Sequence, residues 1–112
     1  MNQDRLNQLF DFYKEDPKDA FVIYGLATEY ASDENWEEAL KYYEILLKDH
    51  EEYTGTYYHA AFAYAENGQA DLAETTYKRG IEVCTRVKDT HALKELKAAY
   101  MNFQMEDDDE EW

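Results

Sequence analysis

Residues 20–53 read AFVIYGLATEYASDENWEEALKYYEILLKDHEEY, and residues 54–87 read TGTYYHAAFAYAENGQADLAETTYKRGIEVCTRV. At a fixed offset of 34 residues, Tyr24 recurs as Tyr58, Ala27 as Ala61, Tyr30 as Tyr64, Ala31 as Ala65, Ala39 as Ala73 and Tyr43 as Tyr77. The identities fall in two blocks, 24–31 and 39–43, with helical spacing inside each, so one helix pair is used twice. Small residues stand where two helices must touch. Ala27 and Ala39 let their backbones approach to roughly 8–10 Å while tyrosines interleave above and below. A bulky residue at either costs about 1–3 kcal/mol by overpacking.

In the first copy, Ile23, Leu26, Ala27 and Tyr30 form one helix face and Phe21, Tyr24, Thr28 and Ala31 another. Two apolar faces require two packing partners, or one partner and one ligand. Asn35 with Glu38 three residues on reads as a capping box for the return helix, whose stripe is Ala39, Leu40, Tyr43, Leu46 and Leu47. That stripe packs antiparallel on the preceding helix across a short turn. In the second copy Thr54 is positioned to cap the helix carrying Tyr57, Ala60, Ala61 and Tyr64, and Asn67-Gly68 supplies the turn. Ala70, Ala73, Tyr77, Gly80 and Ile81 line its return helix. Gly80 replaces Leu46 and sacrifices up to about 1 kcal/mol of helix propensity against Ala, which marks a close helix crossing.

The flanks are read from the same repeat. Asn2 can cap a first helix with Leu6, Leu9, Phe10 and Tyr13 along one stripe. Leu9 and Phe12 lie 34 residues before Tyr43 and Leu46, so this helix is the second half of a unit whose first half is missing. Asp16-Pro17 ends it and opens the next helix. After Cys84 an insertion of two residues near 86–90 restores the register, and Leu93, Leu96, Tyr100 and Phe103 form a last stripe. The partition is an N-terminal half unit at 1–16, units at 17–53 and 54–87, a capping helix at 88–105, and a disordered acidic tail at 106–112.

This 34-residue pattern resembles the tetratricopeptide repeat family. Leu26-Ala27 with Tyr30, Ala39 with Tyr43, Ala60-Ala61 with Tyr64, and Ala73 with Tyr77 stand at its signature positions, while Ile23 and Tyr57 replace its usual tryptophan. The resemblance implies an all-α solenoid of about six antiparallel helices, like short stand-alone bacterial proteins of the family. It also implies that the first helix of each unit forms a concave surface for an extended peptide or a helix. The family's carboxylate clamp is missing: its positions fall on Tyr24, Thr28 and His59, then on Asp89 and Leu93 or, in the shifted register, on His91 and Glu95. What the resemblance leaves is an aromatic groove of Phe21, Tyr24, Thr28, Tyr58, His59, Phe62 and Ala65. These rings either receive a ligand or pack against the terminal helices.

Charge narrows the partners. The chain has 112 residues, 26 acidic and 11 basic, for a net charge of −15. That sign excludes nucleic-acid phosphates and anionic membranes as partners and points to a protein or peptide that is apolar or basic. One cysteine, Cys84, precludes an internal disulfide. Residues 1–16 form no signal peptide, and no apolar run reaches membrane length, which gives a cytoplasmic reading. His50, His59 and His91 lack the convergent ligands of a metal site, and Cys84 is read as a buried, inert thiol. No residue is assigned to catalysis, and no metal or cofactor is expected. The function read is non-catalytic binding by a scaffold or adaptor, with a homo-oligomeric assembly protein as the alternative and an acidic mimic of nucleic acid as a more distant one. The tail is a solvated charge run, or a linear ligand anchored by Trp112 in a basic partner or in a neighbouring copy.

Overall fold

The computed structural model describes residues 1–110. Asn2 opens α1 (Gln3–Glu15) by accepting the Arg5 N–H at 3.0 Å, which satisfies one of the donors a helix start leaves orphaned. Pro17 does not open α2 (Ala20–Ser32); it lies in the turn, and the helix begins behind Asp19. The Asp19 carboxylate accepts the N–H groups of Phe21 and Val22 at 3.0 and 3.4 Å. Two satisfied donors outweigh a preset φ. In α3 (Trp36–Asp49) half of the expected capping box forms. Asn35 accepts the Glu38 N–H at 3.4 Å, but the Glu38 carboxylate turns to Lys41 at 2.6 Å, and the Asn35 N–H returns to the Tyr30 carbonyl.

The same tight turn closes each of the two units. Glu34 (φ 56°) and Gly68 (φ 77°) adopt the left-handed conformation 34 residues apart, between α2 and α3 and between α4 (Gly55–Glu66) and α5 (Ala70–Val87). In each, the next N–H, of Asn35 or Gln69, donates to the carbonyl of Tyr30 or Tyr64, at 3.0 and 2.8 Å. The turn recurs after α5, where Lys88 (φ 63°) is left-handed and the Asp89 N–H donates to the Cys84 carbonyl at 3.0 Å. This Schellman-type closure needs a left-handed residue, which Gly supplies freely and Glu does not.

Thr54 does not cap α4 with its side chain, contrary to expectation. Its hydroxyl donates to Asp89 Oδ2 at 2.5 Å, and the other Asp89 oxygen accepts the Ala92 N–H at 3.1 Å to open α6 (Thr90–Glu110). An ionised acceptor brought within reach by the fold outcompetes the neutral local cap. The expected end of α6 at Met105 is also corrected, since the helix continues to Glu110. Once a helix is nucleated, each added residue gains a hydrogen bond without a new nucleation cost. Trp112 and the contact expected of it lie outside the described residues.

Successive helices pack on one another, and the backbones of α2 and α4, and of α4 and α6, also come close, whereas α1 with α3 and α3 with α5 meet only through side chains. The chain therefore curves with α2, α4 and α6 on its inner side. Between the layers Ile23, Ala27, Ala39, Tyr43, Leu46, Tyr57, Ala60, Ala61 and Ala73 are all fully buried. The alanines of each copy are the small contact points the repeat required. Phe12 is 55% exposed although its register partner Leu46 is fully buried, because no helix among the described residues covers that face of α1. The end of α3 and the connection after it are held to α4 and α5: from α5 Arg79 donates to the Leu47 carbonyl at 2.6 Å and Arg86 to Glu51 at 2.7 Å, and from α4 Tyr57 Oη donates to the Glu51 carbonyl at 2.6 Å. Arg79 thus satisfies an acceptor that the end of α3 leaves free.

Candidate functional site

The inner helices bring Tyr24 of α2, Tyr58 and His59 of α4, and Ala92, Glu95, Ala99 and Asn102 of α6 around a cleft of about 600 Å³. A second hollow of about 200 Å³, lined by Tyr58, Phe62, Ala65, Tyr77, Phe103 and Glu106 among others, continues along α4 and α6. The two share Tyr58, Ala99 and Asn102, so they form one trough.

Its floor is a cluster of rings. His59 lies edge-on to Tyr24 and Tyr58 at centroid distances of 5.7 and 5.2 Å, and nearly parallel to the fully buried Tyr43 at 6.5 Å. Such offset and edge-to-face pairs fix the rings relative to one another, so the surface is preformed. Burial lowers the His59 imidazole below its ordinary value, and Glu95 opposes the shift only partly. The ring is therefore neutral near pH 7. Burial also raises the Tyr24 phenol, with Tyr53 adding to it, and raises Tyr43 most strongly. The Tyr43 hydroxyl has no hydrogen-bond partner among the described residues.

Tyr24, Tyr58 and His59 meet at the larger cleft, and Phe62 and Ala65 at the smaller one. Phe62 packs edge-on against Trp36 at 5.7 Å yet remains 45% exposed. Phe21 and Thr28 line neither hollow. Phe21 is 68% exposed, and the Thr28 hydroxyl is spent on the Gly25 carbonyl at 3.1 Å within its own helix. The α6 wall of Glu95, Ala99 and Asn102 was missing from the groove read in the sequence. Its signal was the two-residue register shift, which puts Glu95 on the inner face, whereas Leu93 packs into the core.

The trough has acidic groups and no fixed cation of its own. Glu95, Glu66 and Glu106 contribute to its lining, and no Lys or Arg does. Among the described residues no cluster of three or more His, Cys, Asp and Glu side chains is placed to hold a metal ion. Cys84 is fully buried and burial raises its thiol, so little of it is the reactive thiolate. No helix among the described residues is long and apolar enough to cross a membrane.

Neither a protein-family model nor a curated protein matches the chain. Solved structures do. The chain is similar to a tetratricopeptide repeat domain protein from Salinibacter ruber in its solution NMR structure, at 36% identity and a TM-score of 0.72, over 79% of this chain and 89% of that one. It is likewise similar to a crystal structure of a tetratricopeptide repeat domain protein from the same organism, at 35% identity and a TM-score of 0.71, over 77% of this chain and 97% of that one.

Proposed function

Because this chain belongs to the tetratricopeptide repeat family, we propose that it is a non-catalytic protein-interaction module that holds a peptide segment of a partner in the trough of α2, α4 and α6. The observation that carries this reading is the preformed aromatic floor, with Tyr58 and Phe62 left 41% and 45% exposed on the inner face. Tyrosine offers apolar area with a polar tip and little rotamer entropy to lose, which suits recognition. A floor already ordered by ring packing spares the receptor most of the ordering cost of binding. The acidic lining favours an apolar or basic segment over an acidic one. Scaffold or adaptor work in the cytoplasm fits this chemistry.

The test is capture of partners from the source cell's lysate by wild type, by Tyr58→Ala/Phe62→Ala, and by a chain ending at Met105. Synthetic peptides from each captured protein are then measured against all three. Peptides that bind wild type and the truncated chain but not the double variant support the trough. A partner lost only on truncation assigns binding to the residues after Met105.

A second reading is self-association. Phe12 on the first helix and Met101 and Met105 on the last are 55%, 61% and 59% exposed, so apolar groups stand at both ends of the stack. A head-to-tail contact would cover them, against the mutual repulsion of acidic bodies. Sedimentation that stays monomeric across concentration and salt removes this reading.

A further inference from the structure

The trough pairs an acidic wall with an aromatic floor, and that pairing selects one class of side chain. Building on the peptide-binding reading, we infer that the cleft between α2, α4 and α6 seats the cationic head of an arginine or lysine of the bound peptide, against the rings of Tyr24 and Tyr58 and beside Glu95. Tyr24 and Tyr58 both stand edge-on to His59, and at the opening Tyr58 and His59 are exposed while Tyr24 is half-buried. A cation near an aromatic face is attracted by the ring quadrupole. The neutral His59 adds no competing positive charge.

Glu95 supplies the counter-charge. Its carboxylate meets the His91 imidazole one turn earlier on α6 at 3.1 Å and keeps 57% of its side chain exposed, so it remains available to a second donor. Ala98 and Ala99 lie on the same wall and Leu96 beneath it. That arrangement matches a long aliphatic stem ending in a charge: the stem covers the apolar wall while the head reaches Glu95. Other occupants fit worse. An acidic side chain would meet Glu95 with no cation to offset its desolvation, and a wholly apolar one would strip water from Glu95 and Asn102 without replacing its hydrogen bonds.

Blocked peptides that alternate leucine with arginine, with the neutral isostere citrulline, or with glutamate, titrated calorimetrically into the full chain, test the assignment. The arginine peptide is expected to bind roughly two- to thirtyfold more tightly than the citrulline peptide, the range a cation over an aromatic face is worth. That preference should collapse in both Glu95→Gln and Tyr58→Ala, and the glutamate peptide should bind weakest. Both substituted side chains are exposed, so the variants keep the fold, which helical circular dichroism verifies. Equal affinity for arginine and citrulline peptides, with both lost in Tyr58→Ala/Phe62→Ala, overturns the cationic seat and leaves the trough as a docking surface. An arginine preference unchanged in Glu95→Gln and Tyr58→Ala overturns it as well, because the attraction then belongs to the overall charge. If none of the peptides binds, the peptide-binding reading fails and the inference falls with it.

Discussion

Gly80→Ala should destabilise the protein even though it improves helix propensity. Gly80 is buried in the interior of α5, where a Cβ would stand 2.5 Å from Tyr57 Cβ, 2.9 Å from its Cγ and 3.0 Å from Leu96 Cδ1. Carbon atoms pack best at roughly 3.5–4.0 Å, so the overlap amounts to about 1 Å. The obstructing atom is a Cβ, which cannot rotate away. Tyr57 is fully buried and its hydroxyl is tied to the Glu51 carbonyl, so α5 itself must move off α4. Overpacking of this kind costs about 1–3 kcal/mol, and replacing Gly by Ala inside a helix returns about 1 kcal/mol. The net loss is up to about 2 kcal/mol, a melting-temperature drop of up to roughly 10 °C for a domain of this size.

Gly25→Ala is the control. There the added Cβ meets only the Leu9 side chain, nearest at its Cδ2 at 2.9 Å, and a leucine tip can turn. Its melting temperature should hold or rise. The repeat supplies a second test, since the register partners of Gly80 and Tyr57 are Leu46 and Ile23, both fully buried. The second unit exchanges a Leu/Ile pair for Gly/Tyr, but isoleucine keeps the obstructing Cβ, so Gly80→Ala should lose stability in a Tyr57→Ile background as well. Thermal melts of the four proteins decide it. A Gly80→Ala protein that melts at or above its parent in either background refutes the steric argument.

Glu34→Gly should raise stability by about 0.5–1 kcal/mol in denaturant titrations, because Glu34 holds a left-handed conformation that its repeat partner Gly68 adopts freely. Gly68→Ala, with nothing within 4 Å of the added methyl group, should lose about 1 kcal/mol through backbone strain alone. Tyr58→Ala should leave the melting temperature within a few degrees of wild type while weakening peptide binding, since the ring is 41% exposed; a large drop would place it in the core. The Thr54 hydroxyl and then the Ala92 N–H hold the Asp89 carboxyl below the usual carboxylate range. A depressed acid stabilises fully above its unfolded value and loses that contribution as pH falls through its folded one. The melting-temperature gap between wild type and Asp89→Ala should therefore be constant above about pH 5 and narrow below about pH 4. A gap that widens on acidification would contradict the bond.

The sequence by itself determined the repeat, the fold family and the contact points between helices. Ala27 with Ala39 and Ala61 with Ala73 are legible because close backbone approach tolerates only small residues there, and the caps at Asn2 and Asn35 are legible because capping is local chemistry. Gly80 was legible as a close crossing for the same steric reason. Tertiary structure decided whatever depends on distant partners. Thr54 looks like a cap until the fold brings Asp89, 35 residues away, within reach of its hydroxyl. Pro17 looks like a helix start until Asp19 is seen accepting two N–H groups behind it. The trough divides in the same way. Helical periodicity puts Tyr24, Tyr58 and Phe62 on one surface, but it cannot say that Thr28 turns inward to its own helix or that α6 closes the far wall with Glu95 and Asn102. Those outcomes depend on how α6 meets α4 and α5, where the Leu96 side chain settles against Gly80, and a one-dimensional pattern does not encode that meeting.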